Sequence, residues 1–166
     1  MNDDGGVKWA IVQVDGIGGA TTSSTPPVMD QKQCDFTPRV VVARPGEEVS
    51  ILNSDGILHN VHTRSEKNVE VNKAQPGFVK KMPLSFKRAE LVRLKCDVHG
   101  WMSGYIMVTD SAHVAVTDDG GSFSLKDVPS GTHELSVWHE KLGQLTQQVT
   151  VTDGQETQVT FEFAAK

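Results

Sequence analysis

The sequence predicts an all-β chain built as two sandwiches that meet near residue 110. Three observations carry this reading. Past residue 110, β-branched and aromatic runs are separated by turn signals roughly every 8–12 residues. No apolar pattern supports a helix longer than about two turns. The charge also changes along the chain: residues 31–110 hold 12 basic and 9 acidic residues, and the remainder holds 4 basic and 12 acidic. At 166 residues and 37% hydrophobic content the chain is able to bury a core and is too apolar for disorder. A net charge of −5 argues against a general nucleic-acid partner. No apolar run approaches the roughly 18–20 residues of a membrane-spanning helix.

Residues 7–14 (VKWAIVQV) read as a first strand, and the Gly-, Ser-, Thr- and Pro-rich residues 16–27 as a loop or linker. Residues 1–30 therefore form an N-terminal strand plus linker, free to complete either sandwich. If the strand joins the second one, the first is an insertion within it. Val40 to Val42 and Val49 to Leu52 flank Pro45-Gly46, which predicts a hairpin. Residues 64–82 read as an irregular crossing segment, and residues 84–95 as a whole leave helix and strand open. Val92, Leu94 and Cys96 alternate with Arg93 and Lys95, which predicts a strand, and Tyr105 to Val108 adds another. These elements make up a first domain over residues 31–110. In residues 111–166, Phe123 with Leu125 and Leu135 with Val137 alternate on either side of a Pro129–Gly131 turn. Asp153-Gly154 predicts a closing hairpin. Asp118, Asp119 and Asp127 read as a polar turn rather than a Ca²⁺ site, and His113, His133 and His139 as surface or structural residues, since none lies in a cluster of donor types along the sequence.

The chemistry is concentrated in Cys96-Asp97-Val98-His99-Gly100-Trp101-Met102, where a thiol, an imidazole and a thioether recur every third residue. A second imidazole, His59, follows the strand that ends at Asn53. One Cys, two His and a distant Met are the donors of a blue-copper electron-transfer site. The thiolate holds copper in both oxidation states, the imidazoles suit Cu(II), and the thioether favours Cu(I). A short loop after a strand is able to return His99 and Met102 to the end of the sandwich where Cys96 sits. Alone, Cys96 reads as a small buried hydrophobe and Met102 as core; together with the two histidines they read as a ligand set. Trp101, inside the loop, is either an exposed group for partner docking and electron entry or a lid over the site.

Several motifs in order resemble the cupredoxins: Phe36-Thr37-Pro38, Pro45-Gly46-Glu47-Glu48-Val49, Asn53-Ser54-Asp55, His59-Asn60-Val61, and Cys-x2-His-x2-Met at 96–102. The resemblance covers residues 34–109, and the short ligand loop is similar to that of the amicyanins. It implies a Greek-key β-sandwich with one mononuclear Cu(I)/Cu(II) held by His59, Cys96, His99 and Met102. It also implies that Asn60 pins the ligand loops and that His99 lies nearer solvent as the electron exit. Residues 111–163 resemble a different family, the carboxypeptidase regulatory-like (transthyretin-like) domain. That resemblance is carried by Ala115 to Leu125, Val128 to Thr132 and Leu135 to His139, and it implies a second, smaller, non-catalytic β-sandwich.

Cys34 departs from the single-cysteine pattern. It belongs at the ligand end of the first domain, since the chain leads from the Pro45-Gly46 turn toward both Cys34 and His59. Three states are open: a free thiol beside a copper site, a Cys34–Cys96 disulfide that removes the site, or a second thiolate that makes the site suit Zn²⁺ or altered copper. His62 is a further candidate donor, although on a strand it points away from the face of Val61.

The reading favoured by the residues is a non-enzymatic electron carrier, passing single electrons to redox proteins such as a cytochrome. Its expected location is periplasmic or extracytoplasmic, with any leader already removed. The alternatives are a metal-free structural or interaction module with a Cys34–Cys96 bridge, and a copper storage or delivery protein. No phosphate loop, dinucleotide glycine motif or nucleophile elbow is visible.

Overall fold

A computed structural model describes residues 5–19 and 25–164, so residues 20–24 of the expected linker lie outside the described residues. Among the described residues there are thirteen strands in three sheets and no helix. The fold is an all-β sandwich. The chain forms two compact units, one from residues 21–110 and one from residues 1–20 with 111–166.

The unit over residues 21–110 stacks two sheets. The first has the order β3 (Asp35–Thr37), β2 (Val28–Lys32), β5 (Glu48–Asn53) and β8 (Lys81–Ser85). The second has the order β4 (Val40–Ala43), β10 (Ser103–Val108), β9 (Glu90–Lys95), β6 (His59–Arg64) and β7 (Asn72–Gln75). Met29, Phe36, Val49, Ile51, Val61, Val92, Leu94 and Ile106 fill the space between them. Val92, Leu94 and Cys96 are buried while Arg93 is exposed, so the alternation expected for this strand is present. The sheets come close at Gly104, where a Cβ would sit 3.0 Å from Phe36 Cβ and 3.1 Å from Met29 Sδ.

The expected hairpin around Pro45-Gly46 does not form. β4 pairs in parallel with β10, and β5 pairs in parallel with β2 and antiparallel with β8. The turn itself is present: Gly46 has φ +83°, and the Glu47 amide bonds the Arg44 carbonyl at 3.0 Å. It carries the chain from one sheet to the other. Both flanking strands are apolar; β5 is paired on both edges and β4, at the end of its sheet, on one, so adjacency in sequence does not decide their partner.

Three strand ends define one edge of this unit. β9 lies between β10 and β6, with Lys95 opposite both Ser103 and His62. The end of β9, the start of β10 and the start of β6 therefore converge. Two-residue turn Gln33-Cys34 closes β2 onto β3, with both residues at positive φ (56° and 53°).

In the other unit β1 (Ile11–Val14) lies between β11 (Val114–Val116) and β12 (Gly131–His139), and β12 forms a long hairpin with β13 (Gly143–Val151). Ala10, Val12, Val14, Leu135, Val137 and Val149 form its buried face. Phe123, Leu125, Val159, Phe161 and Phe163 pack on it from segments that carry no strand ladder. The expected closing hairpin is thus a turn alone: the Gln155 amide bonds the Thr152 carbonyl at 3.2 Å, and no paired strand follows.

Candidate metal centre

His59 opens β6 and is fully buried. The loop before it is shaped by Asn53, whose Nδ2 donates to the carbonyls of Ile57 (2.8 Å) and Gln75 (3.0 Å), and whose Oδ1 accepts the Gly56 amide. Gly77 presses against this loop so closely that a Cβ there would lie 1.9 Å from the Gly56 carbonyl oxygen. His59 Nε2 lies 2.9 Å from Asp55 Oδ2. Desolvation pushes the Asp55 carboxyl up, but hydrogen bonds from the Cys34 amide, the His59 ring and the Gln33 amide outweigh it and hold its pKa below the usual value. An ionised carboxylate only accepts, so His59 Nε2 carries the proton and Nδ1 is the free donor atom.

That Nδ1 lies 3.0 Å from Nδ1 of His99 and 3.9 Å from Cys96 Sγ, and His99 Nδ1 lies 3.8 Å from the same sulfur. Cys96 is almost wholly buried, and the amides of Asn60 (3.5 Å) and His99 (3.4 Å) point at its sulfur. The loop closes on itself, with the Met102 amide on the His99 carbonyl (2.9 Å) and the Cys96 amide on the Met102 carbonyl (3.3 Å). Met102 is fully buried in the same apolar cluster as Cys96.

Asn60 ties β6 to the 96–102 loop and to β7: its Oδ1 accepts the Asp97 amide, and its Nδ2 donates to Asn72 Oδ1 at 2.7 Å. His62 faces Asp97, 2.7 Å from its carboxylate, and lies outside the convergent donor group. The Lys95 ammonium first, then His62, and after them Asn60 hold the Asp97 carboxyl well below the usual range against desolvation.

Cys34, His59 and His99 present donor atoms that all lie within 4.8 Å of one another. Cys34 and Cys96 are both free thiols in this structure. The Cys96 sulfur is turned toward the imidazoles and two backbone amides, and Cys34 is held at the tip of its own hairpin. Ile57 and Leu58, just before His59, and Val98 and Trp101, in the 96–102 loop, are apolar and exposed. Trp101 is 70% exposed, yet its ring meets His99 edge-on at 5.4 Å and its Nε1 donates to the Cys34 carbonyl at 3.0 Å.

Sequence reasoning gave Asp55 no role, although the i, i+4 spacing to His59 in a tight loop was the available signal. It also missed the buried amides of Gln31 and Gln75, joined at 2.7 Å behind Asn53, since isolated glutamines in strands give no sign of burial.

Residues 105–164 match the carboxypeptidase regulatory-like domain. No curated protein sequence matches the chain. Among solved structures it is similar to amicyanin from Paracoccus versutus, at 17% identity and TM-score 0.46 over 59% of this chain and 97% of that one. A purple cupredoxin from Nitrosopumilus maritimus matches at 14% identity and TM-score 0.42, over 50% of this chain and 99% of that one. A copper-containing nitrite reductase from Thermus scotoductus SA-01 matches at 17% identity and TM-score 0.47 over 58% of this chain, which spans only 25% of that enzyme.

Proposed function

We propose that residues 21–110 form a copper-binding electron carrier in which Cys96, His59 and His99 would be the principal donors and Met102 a weaker one. The observation that carries this reading is the triangle of one sulfur and two Nδ1 atoms, with sides of 3.0, 3.8 and 3.9 Å. Metal–nitrogen distances of about 2.0–2.1 Å and metal–sulfur distances of about 2.3 Å fit within those sides. A Cys, two His and a thioether are the donor chemistry of type 1 copper. Bound copper supplies one-electron exchange between Cu(I) and Cu(II).

The protein's own groups do the rest. Asp55 fixes the tautomer and direction of His59, and Asn60 locks the 96–102 loop to β6. The Asn60 and His99 amides stabilise negative charge on the sulfur. Burial of His59, Cys96 and Met102 keeps water away and leaves no position for substrate, which is why a carrier is favoured over an enzyme. Exposed Ile57, Leu58, Val98 and Trp101, with half-buried His99, form a docking face for a redox protein such as a cytochrome, with His99 as the electron exit. An extracytoplasmic location belongs to this reading.

The test is titration of the purified protein with Cu(II), followed by visible absorption before and after mild reduction. The expected result is an intense thiolate-to-copper band that saturates at one equivalent and is lost in Cys96→Ser. No band under either condition, or an unchanged band in the variant, overturns the proposal.

A further inference from the structure

We infer that Cys34 is a second thiolate donor, so that the centre offers two sulfurs and two imidazoles to a thiophilic d¹⁰ ion, Cu(I) or Zn(II). This rests on the metal-site reading above. Cys34 shares with Cys96 the same two histidines: its donor atom and those of His59 and His99 all lie within 4.8 Å of one another, and Cys96 Sγ lies 3.9 and 3.8 Å from their Nδ1 atoms.

The groups that orient the imidazoles also hold Cys34. Asp55 Oδ2 accepts the Cys34 amide at 2.9 Å and His59 Nε2 at 2.9 Å, while Oδ1 of the same carboxylate accepts the Gln33 amide at 2.6 Å. Trp101 donates to the Cys34 carbonyl and packs its ring edge against His99. The Gln33-Cys34 turn also holds two side-chain-bearing residues at positive φ, a conformation that Gly and Asn adopt far more readily. A strained turn persists where its surroundings over-determine it, and such turns concentrate at ligand clamps. The clamp here fixes one side chain of the donor class beside the donor cluster.

Two thiolates with two imidazoles are a closed donor set for Zn(II), and soft sulfur selects Cu(I). On binding, two S–H bonds are replaced by two metal–sulfur bonds and both protons pass to solvent; no electron moves.

The test uses the full chain with Zn(II), then Cu(I), as the added ion. Iodoacetamide labelling read by mass spectrometry is expected to modify half-buried Cys34 in metal-free protein and to be blocked by one equivalent of Zn(II). X-ray absorption on the Zn(II) form is expected to count two sulfurs, and one in Cys34→Ser. That variant is expected to bind Zn(II) more than about 100-fold more weakly, since losing an outer partner alone costs roughly 10–100-fold. Equal labelling with and without Zn(II), together with one sulfur, overturns the inference while leaving the copper reading intact. Absence of any bound metal, in the unaltered protein and the variant alike, overturns both. If Cys34→Ser fails to fold, labelling and sulfur count on the unaltered protein decide.

Discussion

The two units bury polar groups in different ways. In residues 21–110, Gln31, Asn53, His59, Asn60 and Gln75 are all buried, and they bond one another's side chains or the loops between them. In the other unit the buried polar residues Ser111, Thr117 and Ser136 are small. Ser111 and Thr117 hydroxyls donate to nearby carbonyls, and Ser136 to Asp15. A buried side-chain amide or imidazole has more polar atoms to place than a buried hydroxyl, and each left without a partner costs free energy. Most of these side chains lie near the converging strand ends, beside Cys96 and the two imidazoles, whereas buried Glu47 lies apart, at the Pro45-Gly46 turn. Buried side-chain networks therefore distinguish the region built for chemistry from the region built for packing.

The sharpest way to break that contrast is to remove a donor on one side and a core residue on the other. Cys96→Ser or His59→Ala is expected to reduce metal affinity by well over about 100-fold, because each removes a donor rather than an outer partner. Leu135→Ala, in the apolar face of the other unit, is expected to cost about 2–5 kcal/mol of stability. It should leave metal affinity unchanged. Equilibrium dialysis with metal analysis, alongside urea unfolding, separates the two. If Leu135→Ala weakens binding as much as Cys96→Ser does, the division of labour fails.

Next in size is Gly77→Ala. Its Cβ would fall within 1.9 Å of the Gly56 carbonyl oxygen, a backbone atom with no flexible end to move aside. Either the 54–58 loop shifts or the 76–79 turn does. The expected result is a loss of about 1–3 kcal/mol in unfolding free energy, together with weaker metal binding. Asp55→Asn follows, with an expected 10–100-fold loss of metal affinity. The amide keeps the shape but removes the charge that receives three N–H donors. Hydrogen exchange is the check: faster exchange confined to the Gln33 and Cys34 amides and the 54–59 loop is expected, and an unchanged pattern argues that Asp55 does not orient the site.

What the sequence discloses of this contrast depends on how local each signal is. The Cys96, His99 and Met102 spacing is readable because three donor types fall in one seven-residue loop, and His59 because it follows a strand. Asp55 is invisible as a positioning group, since its contact depends on the curl of the 54–58 loop and on a hairpin more than twenty residues upstream. β7 is hidden because Asn72 to Ala74 are exposed and only Gln75 is buried, so an edge strand carries no apolar alternation. Conversely, Val159, Phe161 and Phe163 alternate and pack inward without forming a ladder. Alternation reports which face is apolar, not whether the backbone has found a partner. The Pro45-Gly46 turn teaches the same lesson at the level of topology: its residues set the turn, while pairing with β10 and β2 sets which sheet each flanking strand joins.

The smallest expected effect sharpens the comparison within residues 21–110. Glu90 begins β9, at the opposite end of that strand from Cys96. Its carboxylate accepts the Ser65 hydroxyl, the amides of Glu66, Lys67 and Asn68 at 3.0, 3.0 and 3.2 Å, and Asn68 Nδ2 at 2.7 Å. Desolvation opposes its ionisation, but these donors outweigh it and lower its pKa from 4.5 to about 2. A depressed folded pKa contributes stability that is fully present above pH 4.5 and is lost as pH falls toward 2. Glu90→Gln, which keeps one acceptor oxygen and loses the charge, is expected to cost about 1–2 kcal/mol at pH 7. The gap to the unaltered protein should close as pH falls through that window, with metal affinity at neutral pH unchanged. Urea unfolding at pH 7, 4 and 3 reads the first effect and copper titration the second. A gap that stays constant with pH would mean the carboxylate's shape, rather than its charge, gathers the 65–68 turn. Weakened copper binding would mean that the polar network around the site extends the full length of β9, and that the boundary between chemistry and packing does not fall at the strand end.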